Sequence, residues 1–210
     1  MQATSDSGKR AYWLKTLHTW HWISSALCLL GMLLFSVTGI TLNHAGQIEA
    51  KPQVVNREAA LPDALQDAMR QQAATQLKSA SLPTPVQTWI REQWSVDTAG
   101  RSAEWSEEEA YVSMPRPGGD AWLRVNLQDG QVEYESTDRG WVSYFNDLHK
   151  GRHTGTAWSW FIDIFAVAAL LFSVTGLFIL KMHAAKRPLT WPMVGMGVVI
   201  PLLLAMLFIH

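Results

Sequence analysis

Apolar and polar positions divide the chain into three long apolar runs and one polar stretch. The first run goes from about Trp22 to Leu42 without a charge. At about 1.5 Å of rise per residue, a helix of that length reaches the ~30 Å of a bilayer core. The second goes from about Trp158 to Leu180 and is interrupted only by Asp163. The third, Leu189 to Ile209, is uncharged; Pro188 and Pro192 stand at its start and Pro201 in its middle, where a kink is predicted. Three transmembrane helices follow from this pattern. The first could be mistaken for a cleaved leader, since Lys9, Arg10 and Lys15 precede it. Its apolar part is too long for that, and Asn43-His44 follows it instead of an Ala-x-Ala site, so a retained span is expected.

The polar stretch, residues 45–157, alternates helix and strand signals. Arg57 to Ala80 is rich in Ala, Gln and Leu and reads as helix. Pro83 and Pro85 punctuate it, and Val86 to Trp94 reads as a second, shorter helix. Tyr111 to Met114, Ala121 to Asn126 and Gln131 to Ser136 read as strands, with a hairpin turn at Asp129-Gly130. The expected fold is a mainly α membrane protein with a small α+β domain inserted between helices 1 and 2. Its divisions are 1–44, 45–148, 149–187 and 188–210. No nucleophile–base pairing is visible in the middle domain, which therefore reads as a binding or scaffold module.

Charge and composition add direction. A net charge of −1 with no basic face gives no reason to expect nucleic-acid binding. The single cysteine, Cys28, lies inside an apolar run, so no disulfide or thiolate cluster can form within one chain. Many of the 11 tryptophans flank the apolar runs, where interfacial aromatic belts sit. Lys9, Arg10 and Lys15 before the first span, with Lys181, Lys186 and Arg187 after the second, place both flanks in the cytoplasm by the positive-inside rule. Lys150 and Arg152 count against it, but they end a long translocated segment. The N-terminus is then cytoplasmic, and the central domain and C-terminus face the outside, which in a bacterial inner membrane is the periplasm.

Leu34-Phe35-Ser36-Val37-Thr38-Gly39 in the first span recurs as Leu171-Phe172-Ser173-Val174-Thr175-Gly176 in the second. Small and hydroxylated residues let helices approach closely and hydrogen-bond. The repeat predicts two related, antiparallel spans packed together.

Six of the seven histidines cluster at the ends of these same two spans. His18, His21 and His183 fall at the cytoplasmic ends, and His44, His149 and His153 at the periplasmic ends. His149 and His153 share a face if that stretch is helical. The seventh, His210, ends the chain and is expected to be exposed. A single histidine near an interface commonly just reaches for water. Histidine pairs across packed apolar helices, without cysteine and with few carboxylates, suit axial ligation of a b-type haem. Zinc or copper would more often recruit sulfur or carboxylate ligands as well. Asp163, about five residues inside the second span, could orient a histidine, relay a proton, or sit near the headgroups.

Leu17-His18-Thr19-Trp20-His21-Trp22, followed by Phe35 to His44, resembles the first helix of PepSY-associated transmembrane proteins. Asp147-Leu148-His149-Lys150-Gly151 with Phe172 to Leu177 resembles their second conserved helix. Trp122 to Asn126 with Asp129 to Val132 is similar to the end of a PepSY domain. That family includes siderophore-iron reductases of the bacterial inner membrane. The resemblance implies two bis-histidine haem b groups, with His18 or His21 opposite His183 and His44 opposite His149 or His153. It also implies a cytosolic flavoprotein reductant and a periplasmic acceptor such as a ferric siderophore or a redox protein. This chain is shorter than the larger reductases, so a dimer or a partner protein could complete the electron path. The expected function is transmembrane electron transfer, as a membrane-bound haem reductase or electron-transfer subunit. The alternative is a non-redox PepSY-like binding or regulatory module that the spans only anchor.

Overall fold

A computed structural model describes residues 3–48, 51–75 and 78–209. His210 lies outside the described residues. Two compact units divide the chain, one made of the residues up to Ser36 and from Trp160 onward, the other of Val37–Ser159.

Three helices are long and apolar enough to cross a membrane. They lie in α1 (Ala3–Asn43), α5 (Gly155–His183) and α6 (Thr190–Phe208), and a 3-10 turn at Ala184–Lys186 follows α5. The apolar part of α1 accounts for only half of the helix. Its first turns carry Lys9, Arg10 and Lys15, so they project beyond a bilayer core of about 30 Å. α6 holds Pro201 in its interior, and none of its residues is buried.

In the first unit, small residues recur along α1 at helical spacing. Ser24 and Cys28 are buried there. A Cβ on Gly31 would run into the Phe165 ring of α5. The Phe35 and Phe165 rings stack at 4.9 Å between centroids, and His21 stacks on Phe172 at 4.6 Å. Small side chains bringing two helices together is the usual device where lipid removes the hydrophobic drive between them.

The second unit is built on a six-stranded antiparallel sheet of order β1-β6-β5-β4-β3-β2. Its strands are β1 (Gln53–Ala60), β2 (Ser79–Ala80), β3 (Ala103–Trp105), β4 (Glu109–Ser113), β5 (Gly119–Asn126) and β6 (Gln131–Asp138). Burial alternates residue by residue along β5, the period-two signature of a sheet covered on one face. Leu123, Val125, Val112, Ala110 and Val132 form the covered face, and Met69 of α2 (Asp63–Ala73) with Val86 and Ile90 of α3 (Thr84–Trp94) fill the core over it. Each such buried aliphatic side chain stabilises the fold by about 1.5–3 kcal/mol. Gly130 turns the β5–β6 hairpin at φ +73°.

The expected helix from Arg57 to Ala80 is three elements. β1 pairs with β6 along its whole length, from Gln53 against Asp138 to Ala60 against Gln131. That ladder outweighs the local preference of Arg57-Glu58-Ala59-Ala60 for helix. Pro62, which cannot donate to a ladder, ends the strand and starts α2. A further helix, α4 (Gly140–Lys150), links the sheet to the second span.

Candidate functional site

In the first unit, the start of α1 and the end of α5 lie together. Arg10 donates to the Met182 carbonyl at 3.3 Å, so the two basic flanks meet at one end of the helix pair. The His18 and His183 rings face each other edge to face, 6.3 Å between centroids and 86° between planes. His18 Nδ1 donates to the Leu14 carbonyl at 2.8 Å, and His183 Nδ1 to the Ile179 carbonyl at 2.8 Å. A carbonyl only accepts, so each neutral ring carries its proton on Nδ1 and leaves the Nε2 lone pair for a ligand. Backbone carbonyls thus hold both imidazoles in the tautomer that a metal needs.

His21 is held differently. Its Nδ1 lies 3.0 Å from Thr175 Oγ1 and 3.2 Å from the Phe172 carbonyl. Gly176 leaves room beside its ring, where a Cβ would come within 3.3 Å of Cε1. In the second unit, the other copy of the repeat does the same for a second histidine. Thr38 Oγ1 lies 2.6 Å from His149 Nδ1, and a Cβ on Gly39 would stand 3.8 Å from the His149 ring. Each Thr-Gly pair of the repeated hexad therefore seats one imidazole as well as packing a helix.

The remaining candidates are not brought together. His44 stands in the turn after α1, with Nδ1 3.0 Å from Gln47 Oε1. α4 ends at Lys150, with Gly151 as its left-handed cap, so His149 and His153 do not share a helical face. His153 sits beyond the cap at φ +57°, and its Nε2 accepts from Arg152 at 3.2 Å. Among the described residues no ring contact joins His44 to either. Asp163 is exposed on α5 and makes no hydrogen bond or ion pair among the described residues. The orienting partners expected of a carboxylate are threonines and carbonyls instead.

Two imidazoles without a third donor are a set that a haem, which brings its own nitrogens, would use. Among the described residues no three histidine, cysteine or carboxylate groups gather into a metal-binding group. A macrocycle supplies the equatorial nitrogens and asks the protein for two axial ligands. Trp13, Leu17, Phe178 and Met182, with Arg10 and Lys181, line a largely apolar cleft whose lining holds sequence neighbours of both histidines but neither histidine itself.

The sequence model of one family matches residues 12–210. The chain belongs to the PepSY_TM-like family. No curated protein and no solved structure gives a match. Membership covers the histidine-bearing spans, the sheet and α6 of this PepSY_TM-like chain alike.

Proposed function

We propose that this PepSY_TM-like protein is a haem b electron-transfer protein of a bacterial inner membrane, with His18 and His183 as the axial ligands of one haem. The observation that supports it is the meeting of these two rings from different spans, each with Nδ1 bonded to a carbonyl of its own helix and its Nε2 lone pair left over. His18 and His183 would hold the group, the Leu14 and Ile179 carbonyls would fix their tautomers, and Arg10 and Lys181 would neutralise its carboxylates. The haem, when bound, supplies a one-electron couple, which burial and the imidazole hydrogen bonds tune.

The positive-inside pattern puts this pair on the cytosolic side, within reach of a flavoprotein donor. The sheet domain then lies in the periplasm and presents an acceptor such as a ferric siderophore. A second haem at the opposite end would use His149, seated by Thr38, and His44 after release of its bond to Gln47.

The test is haem content of the purified chain against single substitutions. His183→Ala and His18→Ala should each remove one haem and its share of the Soret absorbance. His44→Ala should halve a two-haem ratio. Unchanged haem content in His183→Ala would refute the ligand assignment.

The open face of the sheet favours a second reading, a binding module. Tyr111 and Trp122 stack there at 6.2 Å, among the carboxylates of Glu104, Glu109, Asp120 and Glu135. Burial, and then these carboxylates, push the Tyr111 phenol above its ordinary value. A haem-free chain that still bound an envelope partner through this face would favour that reading.

A further inference from the structure

α4 is inside out. Its polar residues are the buried ones: Asn146 and Asp147 are each 8% exposed. Asp147 Oδ2 accepts from the Gly118 backbone N–H at 2.9 Å, which ties the helix to the turn before β5. Asn146 Oδ1 accepts from the Thr41 hydroxyl of α1 at 2.7 Å. The opposite side is aromatic and open, with Trp141 76%, Tyr144 36% and Phe145 47% exposed. Positions i, i+3 and i+4 of a helix lie on one face. The three rings cluster there, with centroids 5.6 to 6.3 Å apart.

The depth of this helix is set by its buried side. Thr38 and Thr41 lie in the last turns of the apolar run that ends at Leu42, and α4 is bonded to both through His149 and Asn146. A helix bonded there lies at the boundary between hydrocarbon and headgroups. Trp and Tyr settle at that level, with ring in the acyl region and polar atom in the wet layer. Exposed cations stand at its ends, Arg139 just before it, Lys150 as its last residue and Arg152 just beyond the cap, where lipid phosphates would be met.

We propose that α4 is an interfacial helix whose Trp141, Tyr144 and Phe145 face rests on the bilayer leaflet nearest the sheet domain, with anionic headgroups at its basic ends. The occupant is lipid. A water-facing helix would not bury its carboxylate and amide while showing water three aromatic rings. This placement stands whether or not a haem is bound.

The experiment uses the full chain in phosphatidylcholine–phosphatidylglycerol vesicles, in a Cys28→Ser background. A nitroxide is attached at Trp141→Cys or at Phe145→Cys, with Gln128→Cys, in an exposed loop of the sheet, as the aqueous reference. Collision with molecular oxygen should exceed collision with a neutral nickel chelate at 141 and 145, and the order should reverse at 128. In otherwise native protein, Trp141→Phe should remove a component of the emission that brominated lipid quenches. Water-like collision at 141 and 145 would overturn the proposal. So would shielding from both reagents with dipolar broadening, the signature of a second copy on this face.

Discussion

The acceptor-only Phe172 carbonyl, with Thr175 beside it, keeps the proton of a neutral His21 on Nδ1. His21 shares its Nδ1 between Thr175 and the Phe172 carbonyl, whereas His18 and His183 rely on carbonyls of their own helices. Thr175→Val removes one of the two acceptors and leaves the other, so the cost should be about 1 kcal/mol. The expected result is a small fall in Tm with an unchanged visible spectrum. A displaced haem band or reduction potential would instead make His21 the ligand in place of His18. The Thr-Gly pairs were plain in the sequence as a repeat and read as packing. Their second role was not legible there, because Thr175 and His21 lie 154 residues apart and only the folded spans bring them together. Asp163 misled for the opposite reason. A charge within an apolar run stands out in one dimension, yet it is exposed on α5 and bonds to no histidine among the described residues.

At the scale of elements, periodicity located the spans and the central strands well. The three apolar runs became α1, α5 and α6, and the Asp129-Gly130 turn joined β5 to β6. What it missed depends on partners. β1 is a strand because β6 supplies its ladder, and α4 carries its apolar face outward, so a search for a core-facing stripe passes over it. The sheet core itself follows ordinary packing rules. Leu123 is fully buried at its centre, and Leu123→Ala should cost about 2–5 kcal/mol through lost transfer energy and the cavity left behind. Thermal unfolding of the purified chain, followed by far-UV circular dichroism, should show the sheet signal melting earlier. An unchanged melt would place Leu123 outside the core.

For the whole molecule, the directional statement is topological. Arg10 and the end of α5 meet at one end of the helix pair, so the two basic flanks share a side. The positive-inside rule predicts that side to be cytosolic. In a Cys28→Ser background, Gln128→Cys should react with a membrane-impermeant maleimide added to intact spheroplasts. Lys186→Cys should react only after permeabilisation. The reverse pattern would invert the protein and, with it, the direction of the proposed electron flow.

The proposed electron transfer depends on ligation at the His18–His183 pair. The most direct test is the reduced-minus-oxidised visible spectrum of the full-length chain, purified from haem-replete cells, with the haem-to-protein ratio. Low-spin bis-imidazole bands at one to two haems per chain are predicted. A chain that is folded and membrane-inserted yet shows no Soret band would contradict the account.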